Sequence, residues 1–477
     1  MSKVLALVAA LVCSCYGTIL CAADREPIID FLENNAQQYA GLARALWDKA
    51  ELGYLERESS ALLQETLKQE GFLIESSVAG IPTAFVATYG SGKPVIAVLA
   101  EFDALPGISQ SAEPFRQIPA GKTTGHACGH HLFGAGSVAA AVAVKRWMEE
   151  SKTGGTLKLF GTPAEEGGSG KVYMVRAGLF AEVDTVLHWH PADRNMANPV
   201  TSLANRSAKF RFYGNSSHAA VSPERGRSAL DGVEAMNFMT NMMREHVPQQ
   251  TRIHYVITDG GSAPNVVPDF AEVFYYVRHP SAKTLKQIWG RVVAAAEGAA
   301  AGTGTRLEAE IIHGNHSLLP NEVLAEAMHA NLSALGGVQY SPAERDYAHK
   351  ITATLGLEAD LSGQEEVVQP LELTQGMGST DVGDVSWQVP TTGLRTATWV
   401  PGTSPHSWQA IAAGGMSIGA KGMHLAAMTL ALTLADLFEK PELLVRARQE
   451  FDRRRGPNFQ YQALLGDRTP PLDYRLK

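Results

Sequence analysis

"KPVIAVLAEFDALP" (residues 93–106) is the stretch on which the fold turns. An unbroken apolar run, 94–100, ends in polar residues, Glu101 and Asp103, and then a loop. A short run of this kind reads as a strand buried on both faces, as in a parallel sheet. Two later stretches repeat the pattern. "GTLKLFG" (155–161) runs into the glycine-rich "TPAEEGGSG", and "DTVLHWHP" (184–191) ends in imidazoles and a proline. Helical spacing lies between them, in "LFGAGSVAAAVAVKRWMEE" (132–150) and "KVYMVRAGLF" (171–180). Upstream, residues 26–72 read as two amphipathic helices, one over 28–50 and one over 57–71. Alternating strands and helices predict an α/β domain with a largely parallel sheet.

The pattern changes near residue 203. "AKFRFYG", "RIHYVITDG", "AEVFYYVRHP" and "TRLEAEIIHG" read as strands, and "GRSALDGVEAMNFMTNMMREH" and "AKTLKQIWGRVVAAAEGAAAG" as helices. Their order is strand–helix–strand–strand–helix–strand, the ferredoxin-like βαββαβ arrangement. Residues 203–320 therefore form an inserted domain within a catalytic domain made of 24–202 and 321–477. A buried helix, a charged stretch and an irregular tail from Pro457 close the chain.

The first residues, "MSKVLALVAALVCSCYGTILCAAD", have one lysine, an apolar run and a small-residue site after Ala23. That is the form of a secretory signal peptide, 1–23, and predicts an exported protein, periplasmic or secreted. No later stretch reads as apolar enough to span a membrane. The formal charge of −8 becomes −9 without Lys3, and no basic patch interrupts it. Nucleic acid is excluded as the expected partner on that ground. Cleavage would also remove Cys13, Cys15 and Cys21, leaving Cys128 as the only cysteine of the four. A lone thiol in an exported protein is an inert core residue, a nucleophile or a metal ligand.

Its neighbours favour metal. Cys128 sits in "GHACGHH" (125–131), two residues before His130 with Gly129 between. In an extended loop those side chains point the same way and can reach one ion. Glu101 and Asp103, Glu165 and Glu166, and His188 and His190 all follow strands, where open α/β sheets bind ligands. That many ionisable groups need a cation's compensation. Thiolate and imidazole suit zinc first, with manganese, cobalt or nickel as alternatives, and disfavour calcium and magnesium. Of the adjacent glutamates, one can ligate while the other stays free as a general base. Two lookalikes fail. "EEGGSGKV" lacks the first glycine and the hydroxyl of a phosphate loop, and "GMSIG" has no preceding strand to make a nucleophile elbow.

"EFDALP", "GHACGHH", "TPAEEGGSGK", "HWHP", "NSSHAAVSPERGRSALDGV", "APNVVPDFAEVFYYVR", "GSTDVGDVSW" and "PGTSPHSWQ" follow one another as in the M20 family of metallopeptidases and amidohydrolases. The resemblance covers about residues 26 to 440. It implies a catalytic domain that binds two metal ions, interrupted by a lid domain through which the protein forms a homodimer. It implies metal ligands Cys128, His130, Glu166, His190 and His406, with Cys128 bridging. Glu165 is then the general base, and Asp103 orients a ligating imidazole. The lid's His218 would reach the partner subunit's site to hold the oxyanion, and Asn265 and Arg278 would contact substrate. The expected substrate is a small amide bearing a carboxylate, an N-acyl amino acid such as an aromatic acyl-glutamate, or a dipeptide. Where wider relatives often carry aspartate after the motif's second histidine, this chain has His131. Two rivals make different predictions. A cysteine-nucleophile hydrolase would survive chelators and die on alkylation, and a non-catalytic binding protein would have no use for a free base beside five ligands.

Overall fold

Six strands build the central sheet of the computed structural model, which describes residues 25–476. The candidate signal peptide and its three cysteines lie outside the described residues. In chain order the strands are β1 (Leu73–Ser76), β2 (Phe85–Ser91), β3 (Val95–Ala100), β4 (Gly155–Gly161), β5 (Thr185–Ala192) and, far downstream, β10 (Thr391–Ala397). Their spatial order is β1–β2–β4–β3–β5–β10. β3 lies between β4 and β5 and parallel to both, and β10 continues parallel to β5. Every residue of β3 is buried, as its unbroken apolar run demands. β2 runs antiparallel to both its neighbours, so the sheet is mixed but mostly parallel.

The helices α1 (Glu26–Asn34), α2 (Ala36–Lys49), α3 (Arg57–Gln69) and α4 (His130–Ser151) precede β4. The single helix expected over 28–50 is thus two. Asn35 leaves helical geometry at φ −110°, ψ 9°, while the apolar spacing runs on across the break. α4 presses close to the sheet through small residues. A Cβ on Gly134 would stand 2.9 Å from the Glu101 carbonyl oxygen. α5 (Gly170–Arg176) follows the glutamate loop.

The insertion holds β6 (Ala204–Tyr213), α6 (Ala229–Met243), β7 (Arg252–Asp259), β8 (Phe270–His279), α7 (Ala282–Thr303) and β9 (Arg306–Asn315). Its antiparallel sheet runs β7–β8–β6–β9, the ferredoxin-like order. It has its own core, with Phe210, Phe212 and Tyr275 under Val233, Ile288 and Trp289.

Downstream come α8 (Glu322–Leu335), α9 (Pro342–Thr352), α10 (Ser417–Glu439) and α11 (Pro441–Arg455). The charged stretch after 440 is therefore helical. α10 corrects another expectation, since it is long and apolar enough to cross a membrane. Most of it is buried inside the protein, where it packs against α4 as a core helix.

Candidate metal centre

Glu101 and Asp103 lie just past β3, the glutamate loop follows β4, and His190 is on β5. Cys128 and His130 stand at the start of α4. The extended loop expected there is instead a left-handed turn at Gly129, φ +78°. A Cβ at that position would come within 2.7 Å of Pro191 Cβ, so only glycine fits. The turn still delivers both side chains to one place. His406 arrives from the loop before the short helix Trp408–Gly414. Its backbone is also left-handed, φ +61°, and its N–H donates to the Ala127 carbonyl at 2.9 Å. Strain of this kind at a non-glycine residue persists only where its surroundings enforce it.

Two sets of three ligand atoms result, each within 4.8 Å of one another: Cys128, His130 and His190, and Cys128, Glu166 and His406. They share the Cys128 sulfur. Sγ is 3.5 Å from His190 Nε2, and Glu166 Oε1 is 3.1 Å from His406 Nε2. A third set joins Glu101, His130 and Glu165. Asp103 ties the parts together from beneath. One carboxylate oxygen meets His130 Nδ1 at 2.9 Å, and the other accepts the Glu166 N–H at 2.9 Å. With Nδ1 turned to a carboxylate, Nε2 is left to face the cluster.

The donor set fits a divalent metal. His130 Nε2 faces Glu101 Oε2 at 3.1 Å, as Glu166 Oε1 faces His406 Nε2, and none of the three buried atoms His130 Nε2, Glu101 Oε2 and Glu166 Oε1 makes a hydrogen bond; a shared cation would satisfy them together. Burial, then His130, holds His190 well below the usual imidazole range, in the neutral form a ligand needs. Burial, reinforced by the Glu166 charge, pushes the Cys128 thiol up; a cation alongside is what would make it a thiolate. Burial and the charges of Glu101, Glu166 and Asp381 also hold the half-buried Glu165 carboxyl well above the usual carboxylate range.

The cluster opens into a cavity of about 420 Å³ between the two domains. Glu165, Glu166, His190 and His406 line it from the catalytic side, and Arg278, on β8, from the lid. His218 and Asn265 do not line it. Both sit on exposed lid loops, where the Ala219 N–H donates to the Asn265 carbonyl at 3.0 Å. His131 turns away, its Nε2 3.0 Å from the Gly414 carbonyl oxygen.

Further residues at the site escaped the sequence reading. Lys171 is fully buried, with Nζ 2.6 Å from Glu101 and 2.7 Å from Asp381. Its place after a failed phosphate loop hid it. Arg395, on β10, pairs in register with His190 and lines the cavity with no ion pair among the described residues. Its neighbour Asp193 is held by Arg194 at 3.0 Å. Nothing in "TTGLRTA" marks that arginine.

A profile of peptidase family M20/M25/M40 matches residues 97–410. The chain is 42% identical over 453 residues to one of the subunits of p-aminobenzoyl-glutamate hydrolase of Escherichia coli (strain K12), spanning 89% of this chain and 94% of that protein. It is 29% identical to the Xaa-Arg dipeptidase of Mus musculus, over 88% of this chain and 90% of that one. Among solved structures, an aminobenzoyl-glutamate utilization protein from Klebsiella pneumoniae superposes with a TM-score of 0.60 at 17% identity, over 86% of this chain and 98% of that one. The Bacillus subtilis YXEP protein, described as a dinuclear metal binding peptidase, does so at 0.59 and 19%, over 86% and 99%. The chain belongs to the M20/M25/M40 peptidase family, hydrolases of amide bonds.

Proposed function

We propose that this protein is a two-metal amidohydrolase that cleaves small N-acyl amino acids, aromatic acyl-glutamates first and dipeptides second. One observation carries the reading: two ligand triads share the Cys128 sulfur, with Glu165 beside them at the cavity. Cys128, His130 and His190 would hold one ion, and Cys128, Glu166 and His406 the other. Zinc suits this soft donor set best, with manganese, cobalt or nickel as alternatives. Bound ions would acidify an attacking water and draw electron density from the amide carbonyl.

The chain's own groups do the rest. Glu165 takes the proton of the attacking water and passes it to the leaving nitrogen. Asp103 keeps the His130 ring oriented. Arg278 and Arg395 offer two guanidinium groups without carboxylate partners to a substrate that carries carboxylates. His218, too far round the lid to line its own cavity, would serve the partner subunit's oxyanion, with Asn265 beside it. That requires a homodimer through the lid. Its edge strand β7, whose Val256 and Ile257 are exposed, supplies a surface for one. The signal-peptide reading of 1–23 adds export, to be tested by sequencing the mature N-terminus.

The test is elemental analysis of the purified protein with hydrolysis of p-aminobenzoyl-glutamate and a panel of N-acyl amino acids and dipeptides. About two divalent ions per chain are expected. Chelation should abolish turnover, and Glu165→Ala should keep the metal and lose turnover by at least about a hundredfold. Activity that survives chelation but not alkylation would overturn the metal reading in favour of the Cys128–His190 pair. Wild-type-like turnover in Glu165→Ala would remove the assigned base.

A further inference from the structure

Residues 457–476 follow α11 without regular structure, yet they join both domains and finish at the glutamate loop. Leu464 packs into the lid core and Leu465 into the catalytic core. Arg468 donates to the carbonyls of Ile311 and, at 3.0 Å, Ile312 on β9. From α5, Arg176 donates to the Arg468 carbonyl at 2.7 Å. The segment then delivers two donors to one acceptor. The Tyr474 hydroxyl and the Arg475 guanidinium both donate to the Glu166 carbonyl, the hydroxyl at 3.0 Å.

That carbonyl belongs to the residue whose N–H is already held by Asp103. Glu166 is therefore clamped at both ends of its backbone. The clamp matters because the loop is strained, with Ala164 and Ser169 left-handed at φ 57° and 59°. Left-handed backbone at a non-glycine residue is costly unless its surroundings hold it. The neighbourhood is shaped to admit the tyrosine. A Cβ on Gly53 would lie 2.4 Å from the Tyr474 hydroxyl oxygen. The Tyr474 ring packs edge-on against Tyr54 at 5.6 Å, and the Tyr54 hydroxyl donates to the Gly168 carbonyl at 2.7 Å.

We infer that Tyr474 and Arg475 are positioning residues for the Glu165–Glu166 loop, brought there by a strap that also fastens the lid to the catalytic domain. By fixing the Glu166 carbonyl they set the directions in which the two carboxylates project. Released, the loop can relax toward ordinary backbone angles and swing Glu165. A displacement of about 1 Å at a reacting group costs about a hundredfold in rate. The inference rests on reading Glu165 as the base.

The test compares three forms of the full-length protein with wild type: Tyr474→Phe, Arg475→Leu and Arg475→Lys. A fourth form ends at Asp473 and keeps the Leu464 and Leu465 anchors. The truncated chain should lose about a hundredfold in kcat, and Tyr474→Phe about tenfold, with KM within about twofold. Arg475→Lys should recover most of what Arg475→Leu loses. Melting temperature should stay near wild type, and kcat is compared at saturating metal so that weaker holding by Glu166 does not enter. Hydrogen exchange, measured without metal, should speed up at residues 163–171 in the truncated chain and not in α4. Unchanged kcat together with unchanged exchange in that chain overturns the strap. Should wild type prove inactive on every amide, the proposed reaction fails, and exchange at 163–171 alone then decides the positioning role.

Discussion

Arg395 shows what a single residue's place can add to a motif. It lines the cavity beside His190 because β10 pairs with β5 in that register. A charge-assisted bond to a substrate carboxylate is worth about 1.5–3 kcal/mol. Arg395→Ala should therefore raise KM about 10–100-fold with kcat little changed, and a substrate whose carboxylates are capped should not notice the substitution. Steady-state kinetics on the two substrates check this. Glu56 gives a pH prediction. It is fully buried, accepts from the Thr83 hydroxyl and the Ala164 N–H, and is pushed from its usual 4.5 up to about 8 by burial and then by Asp103. Between those values the folded protein keeps a proton that the unfolded chain has lost, so this group makes stability fall as pH rises through that window. Glu56→Gln should flatten the decline in melting temperature between about pH 5 and 8. A steeper decline in the variant would reverse the assignment. The sequence made Cys128, His130 and the paired glutamates legible because their chemistry is crowded into short motifs. Lys171 and Asp381 are 210 positions apart, and only the packing of α5 brings them together.

Elements were legible where burial on both faces forces an apolar run, as in β3, β4 and β5. β1 is almost wholly exposed and carries no such run, and β10 is rich in threonine and glycine, so neither announces itself. The break at Asn35 is silent for the opposite reason, since periodicity continues through it. Gly129 is the element-scale weak point. It turns the chain into α4 and lies against Pro191, with one ligand on either side. Gly129→Ala must strain the backbone and push Pro191 away. The expected cost is about 1–3 kcal/mol, seen as a lower melting temperature. Metal affinity should fall as well, because Cys128 and His130 no longer converge. Calorimetry and metal titration check the two effects separately. A variant with wild-type metal affinity would show that the turn is not what aims them.

At the scale of the molecule, the interruption of an α/β domain by a βαββαβ unit was legible, because strand patterning changes from buried runs to alternation. What the insertion reaches is not marked by any chemistry of its own, because His218 and Asn265 look like ordinary loop residues and only the family resemblance singles them out. His218 is the case in point: exposed on its own lid, outside its own cavity. If each active site combines Glu165 of one chain with the partner subunit's His218, two dead variants should rescue each other. Glu165→Gln and His218→Ala, each inactive alone, are unfolded together and refolded at equal concentration. About half the dimers are then mixed, and each mixed dimer holds one whole site, so the mixture should recover about a quarter of wild-type activity. A chain that works as a monomer, or a His218 that serves its own site, leaves the mixture no more active than its parts. Val256→Lys, on the exposed edge of β7, should lower the dimer fraction and the activity together, because a charge there opposes strand pairing. Sedimentation measured on the same samples links the two losses; a fully active monomer would break that link.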